Sequence, residues 1–316
     1  MKTPIIDLLV TIIDNYGDMG TACELITALR SGYGDQYGFV IWTNDVDRMT
    51  KFVRASGIGD IAIRDIALFG LMRKSAIVIS ILHTPLPDID LFAAHALILR
   101  LDYLSLDPLW LQYNETEHIT STADRQIIEI IPSPLEGGAG LIPHWLNSRS
   151  KEDPTSQKHI TIFAYPSTLN SIDWDSFPED LVVYVFGSIE YQKKNIICLE
   201  FVPTDAFHKL LDTSEFAIIR GDTTFAYMIQ GSVPFFWDMY RGLGGFPREQ
   251  SDAYLSLIGA SGPYHDVHEI LNGQKVGKIT YEDLTIALTG TEFPCICTKN
   301  LIHTMKKHID RFENSI

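Results

Sequence analysis

A nearly unbroken apolar run from Ile5 to Ile13, interrupted by Asp7, ends in Asp14-Asn15-Tyr16-Gly17-Asp18-Met19-Gly20 and gives way to a helical pattern. Such a run suits a strand buried on both faces, and Ala22, Leu25, Ile26 and Leu29 then recur at helical spacing. Thr21-x-x-Glu24 has the form of a capping box, so the helix is expected to begin near Thr21. Strand, tight turn and helix are the opening unit of an α/β fold, whose ligands gather at the turns that follow the strands. The two carboxylates and two glycines of this turn therefore point to a ligand site. As a plain alternative, Asp18 reads as a helix N-cap or first-turn acid.

The alternation continues along the chain. Tyr37–Trp42, Ala76–Leu82, Ala96–Leu101 and the shorter Ile127–Ile131 read as strands of a first domain, residues 1–150. The polar, proline-containing stretch from Ser148 to Lys158 breaks the pattern and is taken as the boundary. A second domain, 151–298, restarts it with strands at His159–Tyr165, Leu181–Phe186, Ile196–Phe201, Glu215–Ile219 and Val233–Trp237. Helices are expected at Thr204–Thr213 and Thr223–Gln230, and the final segment, 299–316, is amphipathic and locally basic.

Composition narrows the function classes. At 316 residues and 46% hydrophobic content, two cored domains are the default. No stretch of eighteen apolar residues occurs and the N-terminus has no secretory pattern, so a cytoplasmic protein without a membrane partner is expected. The net charge of −15 is spread over both halves with no basic patch, which argues against nucleic acid. Cys23, Cys198, Cys295 and Cys297 form neither a disulfide framework nor a zinc-ligand pattern. His83, His95 and His144 lack partners at ligand spacing, and three Asp-x-Asp pairs (Asp45/Asp47, Asp88/Asp90, Asp173/Asp175) are too many for the motif to discriminate. None of these patterns singles out a metal site.

In the second domain, Arg220-Gly221-Asp222-Thr223-Thr224-Phe225 lies where a buried strand meets a helix. Arg220 with the Thr223 and Thr224 hydroxyls would suit a diphosphate, leaving Asp222 to sugar or ribose hydroxyls or to orienting Arg220. A plain strand–turn–helix corner with an Asp/Thr cap fits the same residues. The aromatics of Phe163-Ala164-Tyr165 and of Phe201-Val202-Pro203-Thr204-Asp205-Ala206-Phe207 fall at strand ends and could wall a nucleotide base or simply fill a core.

Asp14-Asn15-Tyr16-Gly17-Asp18-Met19-Gly20 resembles the Asp-Asn-Phe-Gly-Asp-Ile-Gly loop of the bacterial protein-arginine rhamnosyltransferases that modify elongation factor P, the EarP family. Further blocks resemble that family in the same order: Ile41–Val46, Asp102–Ser105, Pro132–Pro134, Phe201–Pro203, Arg220–Phe225 and Pro234–Trp237. The resemblance implies a GT-B glycosyltransferase, with two Rossmann-like βα domains facing each other across a cleft, the first binding the acceptor and the second the nucleotide sugar. It also implies that the final helix crosses back to the first domain. The implied reaction is inverting and metal-independent, with no cofactor, and moves L-rhamnose from dTDP-β-L-rhamnose to an arginine of elongation factor P.

Asp18 matches the family's base, with Asp14 its expected partner in the catalytic pair. Phe163, Tyr165, Phe201, Phe207 and Tyr240 match positions around the thymidine diphosphate. Asn15, Tyr16, Gly17, Thr204, Arg220, Gly221, Asp222, Thr223 and Thr224 complete the expected donor-binding set. A carboxylate suits the chemistry, because a protonated guanidinium is a poor nucleophile until a base takes its proton. Full deprotonation beforehand by an ordinary Asp would cross roughly 9 pKa units, on the order of 12 kcal/mol, so proton transfer should accompany or follow attack. The chain departs from the family where Arg-Gly-Glu-Asp-Ser becomes Arg220-Gly221-Asp222-Thr223-Thr224, and where a family Glu becomes Ser80. Two alternatives thus stay open: a GT-B enzyme with another nucleotide sugar or acceptor, and a non-catalytic homologue that binds the elongation factor.

Overall fold

In the computed structural model the opening apolar run forms the inner strand β1 (Ile5–Val10) of a seven-stranded sheet. The structure describes all residues except 1, 2, 14–16, 73, 83, 120–124, 144–156, 188, 192, 201, 242–245, 261, 294, 295, 297, 298 and 316. Asp14, Asn15, Tyr16, His83, His144, Phe201, Cys295, Cys297 and most of the expected boundary stretch therefore lie outside the described residues.

The sheet adds β2 (Gly38–Thr43), β3 (Ala62–Asp65), β4 (Ser75–Ile81), β5 (Phe92–Leu101), β6 (Glu117–Ile119) and β7 (Arg125–Ile130). Its order is β3-β2-β1-β4-β5-β7-β6, parallel throughout except for β6 against β7. Both faces are covered, as a parallel sheet requires. On one, Ile6, Leu8 and Val10 join Ala22, Leu25 and Leu29 of the helix Gly17–Tyr33. On the other, Leu9 packs with Val40, Trp42, Phe69, Val78 and Phe92. Asp7 interrupts the run without leaving a buried charge unpartnered, since its Oδ1 accepts the Trp42 indole N–H at 2.7 Å.

The first helix starts four residues earlier than the Thr21 capping box suggested, at Gly17. The Thr21 hydroxyl donates to the Gly17 carbonyl one turn back at 3.0 Å, so it sits inside the helix instead of capping it. Asp18 occupies the first turn.

The C-terminal helix Leu301–Glu313 is capped by Asn300, whose side chain accepts from the Ile302 and His303 amides at 2.8 and 3.3 Å. Its Leu301, Ile302, Met305, Ile309 and Phe312 enter the same core as the first helix. Glu115 fastens it further, accepting from Lys307 at 2.7 Å and meeting His308 Nε2 at 3.0 Å. One compact unit thus comprises Met1–Pro143 with Thr298–Ile316, and His144–Cys297 forms a second.

The second unit holds a five-stranded, all-parallel sheet of β8 (His159–Phe163), β9 (Val182–Phe186), β10 (Ile196–Leu199), β11 (Ala217–Arg220) and β12 (Phe235–Asp238). Its order, β10-β9-β8-β11-β12, repeats the β3-β2-β1-β4-β5 order of the first sheet. Both are doubly wound Rossmann-like arrangements, in which the connections reverse direction next to β1 and next to β8. Ligands bind outside the carboxyl ends of strands at such reversals.

Candidate active site

The carboxyl ends of β8 and β11 flank the reversal in the second sheet, and most of the described residues expected to bind the donor sit there. Arg220 is the last residue of β11. Its guanidinium carbon lies 4.7 Å from the ring centre of Phe163 and 4.6 Å from that of Tyr165, within cation–π range of both. Phe163 meets Phe207 edge-on at 5.5 Å, and Tyr240 lies 6.1 Å from Tyr165. Phe163, Tyr165, Phe207, Arg220 and Tyr240, from four separate chain segments, form one connected aromatic and cationic surface. Thr204 opens the helix Thr204–Thr213 that carries Phe207. After Arg220, Gly221 adopts φ +78° and ψ 150°, a conformation side chains rarely take, and lets Asp222, Thr223 and Thr224 begin a short helix, Asp222–Met228.

Sequence reasoning missed two members of this site. Phe186, at the end of β9, touches Phe163 at 6.0 Å and Phe207 at 4.9 Å, closing an aromatic triangle. Its signal was its place at the end of a neighbouring parallel strand. Asp238, at the end of β12 and in register with Arg220, is fully buried. Its Oδ2 accepts the Tyr165 amide at 2.7 Å, and its Oδ1 has no hydrogen-bond partner among the described residues. Burial pushes its carboxyl up to about 6, against the opposing pull of the Tyr165 and Thr168 hydrogen bonds and of Arg241 and Arg220. A charged residue closing Pro234-Phe235-Phe236-Trp237 was its signal.

In the first unit, Asp18 and Gly17 stand at the carboxyl end of β1, beside the reversal of that sheet. Asp18 is 4% exposed and its Oδ2 accepts the Ile13 amide at 2.7 Å. The carboxylate therefore does local structural work as well as any chemistry.

The first carboxylate of each Asp-x-Asp pair is engaged by local backbone. Asp45 caps the helix Val46–Ala55 through the Arg48 amide at 3.0 Å; Asp88 accepts from the Asp90 amide at 3.1 Å, and Asp173 from the Asp175 amide at 3.3 Å. Among the described residues, no three His, Cys, Asp or Glu side chains gather at metal-holding distance. No helix among them is long and apolar enough to cross a membrane.

No family model matches the sequence, and no curated protein matches it. Solved structures do. One, described as the structural basis for EarP-mediated arginine glycosylation of translation elongation factor EF-P, is 15% identical, with 99% of each chain covered and a TM-score of 0.55. Another, a putative UDP-N-acetylglucosamine 2-epimerase from Listeria monocytogenes, is 10% identical, with 98% of each chain covered and a TM-score of 0.50. At these identities the likeness shows the fold, which is the GT-B arrangement of two Rossmann-like domains in tandem.

Proposed function

We propose that this chain is an inverting, metal-independent glycosyltransferase of the EarP family that transfers L-rhamnose from dTDP-β-L-rhamnose to an arginine of elongation factor P. The observation that carries the reading is the contact surface of Phe163, Tyr165, Phe207, Arg220 and Tyr240. Each was assigned to the donor from sequence, and a fold alone does not require separate segments to converge on one arginine. In this reading the aromatic faces take the base, Arg220 turns from them to the diphosphate, and its charge stabilises the leaving group as the glycosidic bond breaks. Asp18 holds the acceptor guanidinium and takes its proton during or after attack on the anomeric carbon. A cytoplasmic setting with a protein acceptor completes it.

A second reading, a non-catalytic homologue that binds the elongation factor, is favoured by the Asp18 oxygen already engaged with Ile13. The two differ in what happens to the donor. Following the donor's anomeric proton by NMR in the presence of elongation factor P should show its consumption and an α-linked product. A donor left intact beside a bound elongation factor selects the second reading.

A further inference from the structure

In a parallel sheet, the N–H and C=O of one residue bond to the strand on one side and those of the next residue to the strand on the other. β1 stops pairing at Val10, opposite Thr43 of β2 and Ile81 of β4, yet the alternation continues for two more residues through side chains. The Thr11 amide donates to Thr84 Oγ1 at 2.8 Å, on the β4 side. The Ile12 amide donates to Asn44 Oδ1 at 2.8 Å and the Ile12 carbonyl accepts from Asn44 Nδ2 at 3.3 Å, on the β2 side. The Asn44 carboxamide thus replaces a peptide group of a longer β2. The next amide, Ile13, donates to Asp18. Three consecutive amides beyond the strand are held by three side chains from three segments, although Ile13 itself is 73% exposed.

Thr84 is itself held in place. It is buried, its hydroxyl donates to the Ile81 carbonyl at 2.6 Å, and its carbonyl accepts the Ser80 hydroxyl at 2.9 Å. Two residues before it, Leu82 sits at φ +51°, a left-handed conformation that a non-glycine residue rarely adopts. Strain of this kind persists where surrounding contacts over-determine it, here the Leu82 amide on the Leu101 carbonyl at 2.8 Å and the Thr84 bonds.

We propose that Asn44 and Thr84 are positioning residues, which by holding Thr11 and Ile12 fix the Ile13 amide and so aim the Asp18 carboxylate. The inference rests on the proposed role of Asp18 for its effect on turnover, and on geometry alone for its effect on the loop. Two readouts keep these apart. The first is amide hydrogen exchange at Thr11, Ile12 and Ile13, which needs no activity. Thr84→Val, which keeps shape and removes the hydroxyl, should speed exchange at Thr11, and Asn44→Ala at Ile12, each by about tenfold or more, with Ile6–Val10 unchanged. The second is steady-state transfer to elongation factor P. Both variants should lose about tenfold in kcat with the donor KM held within about twofold, and Thr84→Ser should restore the rate. Unprotected Thr11–Ile13 amides in the wild type, or variants that exchange and turn over like it, overturn the proposal. Protected amides that respond to both substitutions, in a protein that transfers nothing, uphold the clasp and overturn the transferase reading instead.

Discussion

Asp18 and Asp238 are both buried carboxylates at strand ends, and their surroundings set them to different tasks. Asp18 accepts the Ile13 amide, and an asparagine there could still accept it through its carbonyl oxygen while losing the capacity to take a proton. Asp18→Asn should therefore keep the fold and dTDP affinity and lower transfer by about 10²–10⁴-fold, whereas Asp18→Ala should also loosen the loop. Retention of more than about a tenth of the wild-type rate by the asparagine variant contradicts the assigned role. Asp238 is a matter of stability. A carboxyl that titrates near 6 in the fold instead of its ordinary 3.8 binds its proton more tightly folded than unfolded. Its contribution is fully present below about pH 3.8 and is lost as pH rises toward 6, a loss on the order of 3 kcal/mol. Asp238→Asn should consequently gain stability relative to wild type as pH rises from 4 to 7. Chemical denaturation of both proteins across that range tests this, and a difference independent of pH rejects it.

At the scale of elements, what was legible depended on burial. β1, β2, β4, β8 and β9 were readable as apolar runs because an inner strand of a parallel sheet covered on both faces admits little else. β3 and β6 were not: Ala62–Asp65 is partly exposed and Glu117–Ile119 carries polar side chains, since edge strands need no continuous apolar face. The helix start was misplaced because Thr21-x-x-Glu24 satisfies the capping pattern equally well one turn inside a helix. The aromatic surface was legible through the family resemblance, but Phe186 and Asp238 depend on which strands become neighbours, which no local pattern states. The C-terminal helix offers its own test. Leu141 pairs with its lead-in through the Lys299 carbonyl at 3.0 Å and the Leu301 amide at 2.9 Å. Gly140, at φ +90°, leaves room for that contact, and a Cβ there would run into the Lys299 carbonyl. Gly140→Ala should cost about 2–4 kcal/mol in urea unfolding and open the lead-in to Leu301 to protease. Unchanged stability and protection would mean that the helix is held without this pairing, by its apolar face and the Glu115 contacts.

For the whole molecule, two sheets of the same order each place a candidate group at the carboxyl ends beside their reversal: Asp18 in the first, Arg220 with its aromatic neighbours in the second. In the proposed reading the first serves the acceptor and the second the donor. If Arg220 and uncharged neighbours hold the diphosphate, dTDP should raise the melting temperature with no metal present, by linkage worth roughly 2.7 kcal/mol at a hundredfold excess over its Kd, and a chelator should change nothing. Strict dependence on magnesium or manganese contradicts that arrangement. The most direct test of the central claim is the intact mass of elongation factor P after incubation with the protein and dTDP-β-L-rhamnose. The account predicts a gain of one deoxyhexose on a single arginine with the wild type and none with Asp18→Asn. An unmodified elongation factor, under conditions where the wild-type protein binds dTDP, would contradict it.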